Sequence, residues 1–174
     1  MRIDFPFSAP AAHPDKMYPI ANWAQIIRTL SKDYDFTPVL SGAISDVDLN
    51  NQIINLSEVN CINLAGKLSI RESMALYKLM HLSICVDSGP AHLSAAVGTP
   101  TVAIFGPTDP NRWCPFGEQH AAVYDQSLPC RPCNYNKTCD DRRECLTELS
   151  ADWIIENALR VYSIIKPKDI KTRV

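Results

Sequence analysis

No stretch of the 174 residues approaches the ~18 consecutive apolar side chains that a membrane-spanning helix needs. The opening MRIDFPFSAPAAHPDK also lacks the long apolar core of a secretory signal. Basic residues are not in excess: 17 Lys and Arg stand against 19 Asp and Glu, a formal net charge of −2. That balance gives no electrostatic argument for nucleic acid or for strong attraction to an anionic membrane. Internal repeats and low-complexity tracts are lacking too. These absences imply a cytoplasmic protein in a reducing compartment. They leave its 7 cysteines in need of an explanation.

What is present is an ordinary globular composition, 46% hydrophobic, at a length that suits one α/β domain. Short β-rich runs alternate with helical patterns. Arg2 to Phe7 reads as a first strand, and Ser8 to Pro19, rich in proline, as a loop. Ile20, Trp23, Ile27 and Leu30 recur at helical spacing, predicting a helix over 20–32. Phe36 to Leu40 reads as a strand whose Pro38 implies an edge or a bulge. A helix from about Asp46 to Leu56 and a strand at Cys61 to Leu64 follow. Ser69 and Glu72 have capping-box spacing, starting a helix that runs to about Met80. Leu82 to Val86 has the apolar character of a buried parallel strand. A short helix over Pro90 to Val97 stops at Gly98, and Thr101 to Phe105 is the next strand. Residues 106–118 read as loop, Ala121 to Tyr124 as a strand. A last helix follows Ser150, with Ile154, Ala158, Val161 and Ile165 on one face. This alternation implies a Rossmann-like α/β fold, a parallel sheet with helices on both faces.

In such sheets ligands bind beyond the carboxyl ends of the strands. The segment that best fits is Val86-Asp87-Ser88-Gly89-Pro90-Ala91-His92, which leaves a buried strand and enters a helix. Gly89 permits close approach of a ligand to the backbone. Pro90 suits a first helical turn. The free N–H groups of that turn attract an anion such as a diphosphate. Ser88 is placed to cap the helix or to donate to a phosphate, and His92 to donate from the same turn. The segment equally fits plain helix punctuation, with Asp87 and Ser88 as caps.

The run from Asp87 through Pro100, continuing Thr101-Val102-Ala103-Ile104-Phe105-Gly106-Pro107-Thr108, resembles the D-S-G-P-x-H-L-x-A-A-x-G-x-P-x-V-x-x-F-G-P-T signature of glycosyltransferase family 9, the ADP-heptose:lipopolysaccharide heptosyltransferases. Weaker echoes lie in Lys16-Met17-Tyr18-Pro19 with Trp23, in Ser41-Gly42-Ala43-Ile44-Ser45-Asp46, and in Asn63-Leu64-Ala65-Gly66-Lys67-Leu68-Ser69. The resemblance implies a GT-B architecture, two Rossmann-like domains facing across a cleft. Its C-terminal half binds the nucleotide sugar, and its N-terminal half receives the acceptor and supplies the catalytic carboxylate. Only the C-terminal half is matched. Residues 1–174 are therefore expected to be the donor-binding domain, without the acceptor domain. Alone, this chain is expected to lack the catalytic base and to be inactive.

By the same resemblance, Lys16 and His92 stabilise the leaving diphosphate. The expected nucleotide-sugar site is Ser8, Lys16, Asp46, Leu68, Asp87, Ser88, Gly89 and His92. Asp46 stands where the family has a ribose-binding glutamate, with a helix N-terminal acid as the rival reading. Leu68 stands where backbone contacts to adenine are expected, and Lys67 beside it reads as a surface charge. Asp87 either bonds a donor-sugar hydroxyl or braces the turn. Ala11 and Ala12 replace the hydroxyl residues that family members often carry shortly before the lysine, leaving Ser8 as the nearest hydroxyl.

Cys130, Cys133, Cys139 and Cys145 fall in the loop 128–146 as C-x2-C-x5-C-x5-C. Four thiolates at such density can close a structural zinc site or, less readily, hold an Fe–S cluster. Reduced thiols or cross-links are the alternative. Cys61 and Cys85 read as core residues.

The expected function is donor binding in a glycosyltransferase that moves heptose or a related sugar from an NDP-sugar, ADP-heptose above all, to a lipopolysaccharide-core acceptor. No catalytic cofactor and no nucleic acid are expected. A peripheral contact at the inner face of the inner membrane fits such an acceptor. The alternative is a non-catalytic nucleotide- or metal-binding module or partner subunit.

Overall fold

A computed structural model describes residues 3–9, 13–136, 139 and 142–165. Arg2, Ala11 and Ala12 lie outside these, as does the side chain of Ile165. The chain runs β1 (Ile3–Ser8), α1 (Ile20–Tyr34), β2 (Phe36–Leu40), α2 (Val47–Ser57), β3 (Ile62–Asn63), α3 (Ile70–Leu79), β4 (Ser83–Val86) and α4 (Gly89–Ala96). It continues through β5 (Thr101–Ile104), the one-turn α5 (Pro110–Trp113), β6 (His120–Val123), the one-turn α6 (Glu144–Thr147) and α7 (Ala151–Ile165). The strands form one parallel sheet of six in the order β3-β2-β1-β4-β5-β6. The expected Rossmann-like sheet, covered on both faces, is what the chain forms.

Side chains alternate across a strand, and here the alternation sorts two layers. Ile84, Val86, Val102 and Ile104 join the large cluster with Trp23, Ile27 and Leu30 of α1 and with Ile154, Ala158 and Val161 of α7. Cys85, Ala103 and Phe105 face the other way and cluster with Ala91 of α4. Burial on both faces explains why these strands read as unbroken apolar runs. Ser69 and Glu72 cap α3 reciprocally: Ser69 N donates to Glu72 Oε2 at 2.8 Å and Glu72 N to Ser69 Oγ at 3.3 Å. Gly98, at φ +83°, ends the α4 segment as expected.

Three expectations need correction. Pro38 sits in β2, an interior strand, without a bulge: it pairs in register with Phe5 of β1. It is tolerated because β3 is only two residues long and meets β2 at Val39 and Leu40, so no β3 residue lies opposite Pro38. The loop 106–118 contains α5, started by Asp109, whose Oδ1 accepts from Asn111 N at 2.9 Å, with Pro110 in the first turn. Cys61 lies just outside the short β3 and is half-buried rather than fully in the core.

His120 opens β6 opposite Thr101. Among the described residues neither ring nitrogen has a hydrogen-bond partner, and burial lowers its pKa below the ordinary 6.5. The folded state thus holds the ring neutral, while the unfolded chain takes up a proton more readily. This contribution to stability is full above about pH 6.5 and is lost as pH falls through the depressed folded value. Urea midpoints should therefore drop more between pH 7.5 and pH 5.5 for the native chain than for His120→Leu. Parallel midpoints would refute the assignment.

Candidate functional site

The strand order reverses between β1 and β4: from β1 the sheet grows outward to β2 and β3, from β4 to β5 and β6. The two strands lie side by side, with Ser8 in register with Cys85. Connections leaving neighbouring strands in opposite directions open a crevice at their carboxyl ends. The Asp87–His92 segment leaves β4 at that point.

Ser88 does not cap α4 with its side chain. Its hydroxyl donates back to Val86 O at 3.1 Å. The first-turn amides therefore keep no side-chain cap of their own. Gly89 has no positive φ, and a Cβ added there would meet no atom within 4 Å. Neither backbone nor neighbours demand glycine; the space it leaves free opens into the crevice.

Asp87 is buried, 4% exposed. Its Oδ2 accepts from Lys16 Nζ at 2.7 Å and from Thr108 Oγ1 at 2.6 Å. Lys16 ends a 3-10 turn over Pro14–Lys16, with His13 Nδ1 accepting from Asp15 N at 3.2 Å. Partial burial would lower the Lys16 pKa, but Asp87 and then Tyr135 outweigh it and hold the ammonium above its ordinary value. The lysine is cationic across the physiological range.

The crevice has two lobes that share Ser88 and Gly89. One, of about 460 Å³, is charged and carries Lys16, Asp87, His92, Arg112, Trp113 and Tyr135. The other, of about 640 Å³, has Ser8, Asp46, Leu68, Ile70, Tyr77 and Leu93 on its walls. All eight residues of the expected nucleotide-sugar site border one lobe or the other. The charged lobe has the chemistry for phosphates and a sugar, and the apolar one for a base. Asp46 has a structural task as well: its Oδ2 accepts from Ala43 N at 2.6 Å, as a helix N-terminal acid would. Lys67 is exposed and donates to Asn63 O at 2.8 Å.

The model of glycosyltransferase family 9 (heptosyltransferase) matches residues 5–142 of this sequence. The chain belongs to glycosyltransferase family 9. Among relatives, lipooligosaccharide heptosyltransferase 2 of Campylobacter jejuni subsp. jejuni serotype O:2 is 30% identical over 147 residues, 82% of this chain and 46% of that protein. Lipopolysaccharide heptosyltransferase 2 of Escherichia coli K12 is 29% identical over 63% of this chain and 32% of its own length. This family 9 chain thus spans less than half the length of the curated relatives it matches. The structure of E. coli ADP-heptose lps heptosyltransferase II shares the fold at TM-score 0.80 and 22% identity, over 94% of this chain and 47% of that one. The dodecameric iron-containing heptosyltransferase TibC, in complex with ADP-D-beta-D-heptose, shares it at TM-score 0.73 and 14% identity, over 98% and 48%.

Some residues bordering this crevice have no role expected from the sequence. Thr108 is the last residue of the signature, yet only the fold shows its hydroxyl on Asp87. Arg112 and Trp113 pair at the mouth of the charged lobe, the guanidinium 5.1 Å from the ring centroid. An Asp-Pro helix start at 109–110 was the available signal for their placement. Tyr135 reaches the lobe from the cysteine loop, and nothing in its neighbourhood of sequence marks that.

All seven cysteines are free. Cys133, Cys139 and Cys145 line one small cavity of about 30 Å³ together with Tyr135 and Arg143, while Cys130 does not border it. Among the described residues no three His, Cys, Asp or Glu side chains gather as a metal-holding group. Burial pushes the Cys145 thiol up to about 11, with Arg131 opposing, and the Cys85 thiol to about 12. Arg131 lies over the Tyr124 ring at 4.8 Å and donates to Thr108 O at 3.4 Å, linking this loop to the Asp87 cluster.

Proposed function

We propose that this chain is the donor-binding half of a glycosyltransferase, taking a nucleoside-diphosphate sugar, ADP-heptose above all, for transfer to a lipopolysaccharide-core acceptor. The observation that carries the reading is the Lys16–Asp87–Thr108 cluster beside the uncapped α4 terminus, at the reversal point of a family 9 sheet. The diphosphate lies over Ser88 and Gly89, the base in the apolar lobe near Leu68, and the sugar toward Asp87. An acceptor hydroxyl attacks the anomeric carbon and gives its proton to a carboxylate of the N-terminal half. The bond from that carbon to the diphosphate oxygen breaks, and Lys16, His92 and the α4 amides take up the developing charge. This scheme calls for no catalytic metal.

The chain alone, lacking the base, binds donor without transferring sugar. Among the described residues no helix is long and apolar enough to cross a membrane. A lipid-linked acceptor would bring the whole enzyme to the inner face of the inner membrane, from the cytoplasm, through peripheral contact. Calorimetric titration with ADP, UDP, GDP and CMP tests the reading. Binding of ADP without turnover is expected. Undetectable binding of every nucleoside diphosphate at millimolar levels would sink it, and turnover by the chain alone would sink the missing-base clause.

Gly89→Ala separates this reading from helix punctuation. A helical glycine is worth about 0.5–1 kcal/mol less than alanine, so melting should be unchanged or slightly raised. The added methyl occupies the space that a phosphate would approach, so ADP affinity should fall. Full ADP affinity in the variant would favour punctuation alone.

The cysteine loop is proposed to draw Cys130, Cys133, Cys139 and Cys145 together on a structural zinc ion when metal is bound, because Cys133, Cys139 and Cys145 border one small cavity, although among the described residues they do not gather as a metal-holding group without it. Elemental analysis of chelator-free protein with a free-thiol count tests this. No metal and four reactive thiols would leave a plain thiol loop.

A further inference from the structure

The charged lobe carries one lysine and one arginine, and the two are held differently. Lys16 pairs with Asp87 at 2.7 Å. Among the described residues Arg112 has no carboxylate partner and no side-chain hydrogen bond. Its guanidinium lies 5.1 Å from the centroid of the Trp113 ring instead. The turn that presents both side chains is firmly built. Asp109 Oδ1 accepts from Asn111 N at 2.9 Å, Trp113 N donates to Asp109 O at 3.1 Å and Cys114 N to Pro110 O at 2.9 Å. Pro110 is buried, and Thr108, just ahead of the turn, donates to the Asp87 carboxylate at 2.6 Å. Arg112 therefore starts from a fixed base on the wall of the lobe that holds Lys16, Ser88 and His92.

Electrostatics decides what that arginine is for. Lys16 and Arg112 share the lobe with two carboxylates, Asp87 and Asp109, so with His92 counted as neutral the lobe is formally uncharged. Without Arg112 it would hold one net negative charge and repel a diphosphate. Asp87 already offsets the lysine, so the arginine is the cation whose fork of N–H donors is open. On the diphosphate reading, on which this inference rests, the base lies in the apolar lobe and the phosphates cross Ser88 and Gly89, which both lobes share. The distal phosphate is then the one that enters the charged lobe. We propose that Arg112 binds that distal phosphate, its guanidinium braced on the Trp113 face. Arginine and phosphate pair through two parallel N–H···O bonds, and a guanidinium already held on a ring loses less freedom on binding. When the bond from the anomeric carbon breaks, its electron pair stays on an oxygen of this same phosphate, and Arg112 meets the charge that grows there.

The experiment titrates ADP, AMP and adenosine into the native chain, Arg112→Ala and Arg112→Lys. Arg112→Ala should lower ADP affinity by about 10-fold, the low end for a hydrogen bond to a charged group. AMP, whose single phosphate ends at Ser88 and Gly89, should lose less than about 2-fold, because an exposed charge acting at a distance is screened. Adenosine should be unaffected. Arg112→Lys keeps the charge without the fork and should recover only part of the ADP loss. Unchanged ADP affinity in Arg112→Ala overturns the proposal. Equal losses for ADP and AMP overturn it too, because they mark a general field rather than a contact with the distal phosphate. A fall shared by adenosine, which marks a structural residue, or full recovery with lysine, which marks a bare point charge, does the same. Failure of the native chain to bind any nucleoside diphosphate would overturn the diphosphate reading itself, and this inference with it.

Discussion

Lys16→Ala and His92→Ala are each expected to weaken ADP binding by about 1–3 kcal/mol, the usual size for a hydrogen bond to a charged group. Adenosine, without phosphates, should lose little. The lysine substitution carries a second cost that the histidine one does not. It leaves the Asp87 carboxylate buried with Thr108 as its remaining partner. Removing one member of a buried ion pair costs about 3–5 kcal/mol when both are fully buried. Lys16 is partly exposed, so roughly half of that is expected in urea denaturation. Pairing Lys16→Met with Asp87→Asn should restore stability by removing the orphaned charge, yet leave ADP binding weak. Equal losses for adenosine and ADP would show that the substitutions merely disturb the fold.

Trp23→Ala should be among the most destabilising single changes, at about 3–5 kcal/mol. Domains of this size have only about 5–15 kcal/mol to lose. Trp23 is 1% exposed and comes from α1. It meets Phe7 of β1 edge-on at 6.1 Å and Tyr18 at 5.7 Å. Tyr18 in turn donates to Leu149 O at 2.7 Å, tying the segment before α1 to the one before α7. The alanine would open a cavity at the junction of sheet and helix layer. Trp23→Phe should cost much less, because among the described residues the indole Nε1 has no hydrogen-bond partner to lose. A loss below about 1 kcal/mol for the alanine variant, by urea midpoint and slope, would mean that the core collapses around the gap.

The elements were legible where a local signal was strong. The Ser69–Glu72 box, the Gly98 stop and the apolar runs around Ile84 and Val102 each specify structure through neighbours in sequence. Pro38 misled because its tolerance depends on how short β3 is, a fact about another segment. The helix start at Asp109-Pro110 was present but hidden inside a stretch rich in proline and glycine.

The site divides along the same line. Asp87, Ser88, Gly89 and His92 are contiguous and carry a family signature, so their proximity needs no fold. Lys16 lies 71 residues from Asp87 in the chain, and only the parallel pairing of β1 with β4 brings the two to 2.7 Å. Tyr135 comes from farther still, through a turn whose left-handed angles no residue pattern announced. Sequence by itself determined the class of fold, the Ser69–Glu72 cap of α3 and the turn after β4, because these depend on propensity and period over a few residues. The tertiary structure alone decided that Ser88 bonds backward and leaves α4 uncapped, that Thr108 and Lys16 share one carboxylate oxygen, and that the cysteine loop reaches the charged lobe. Those contacts join residues distant in sequence, and their geometry is set by strand order and packing, which no local pattern encodes.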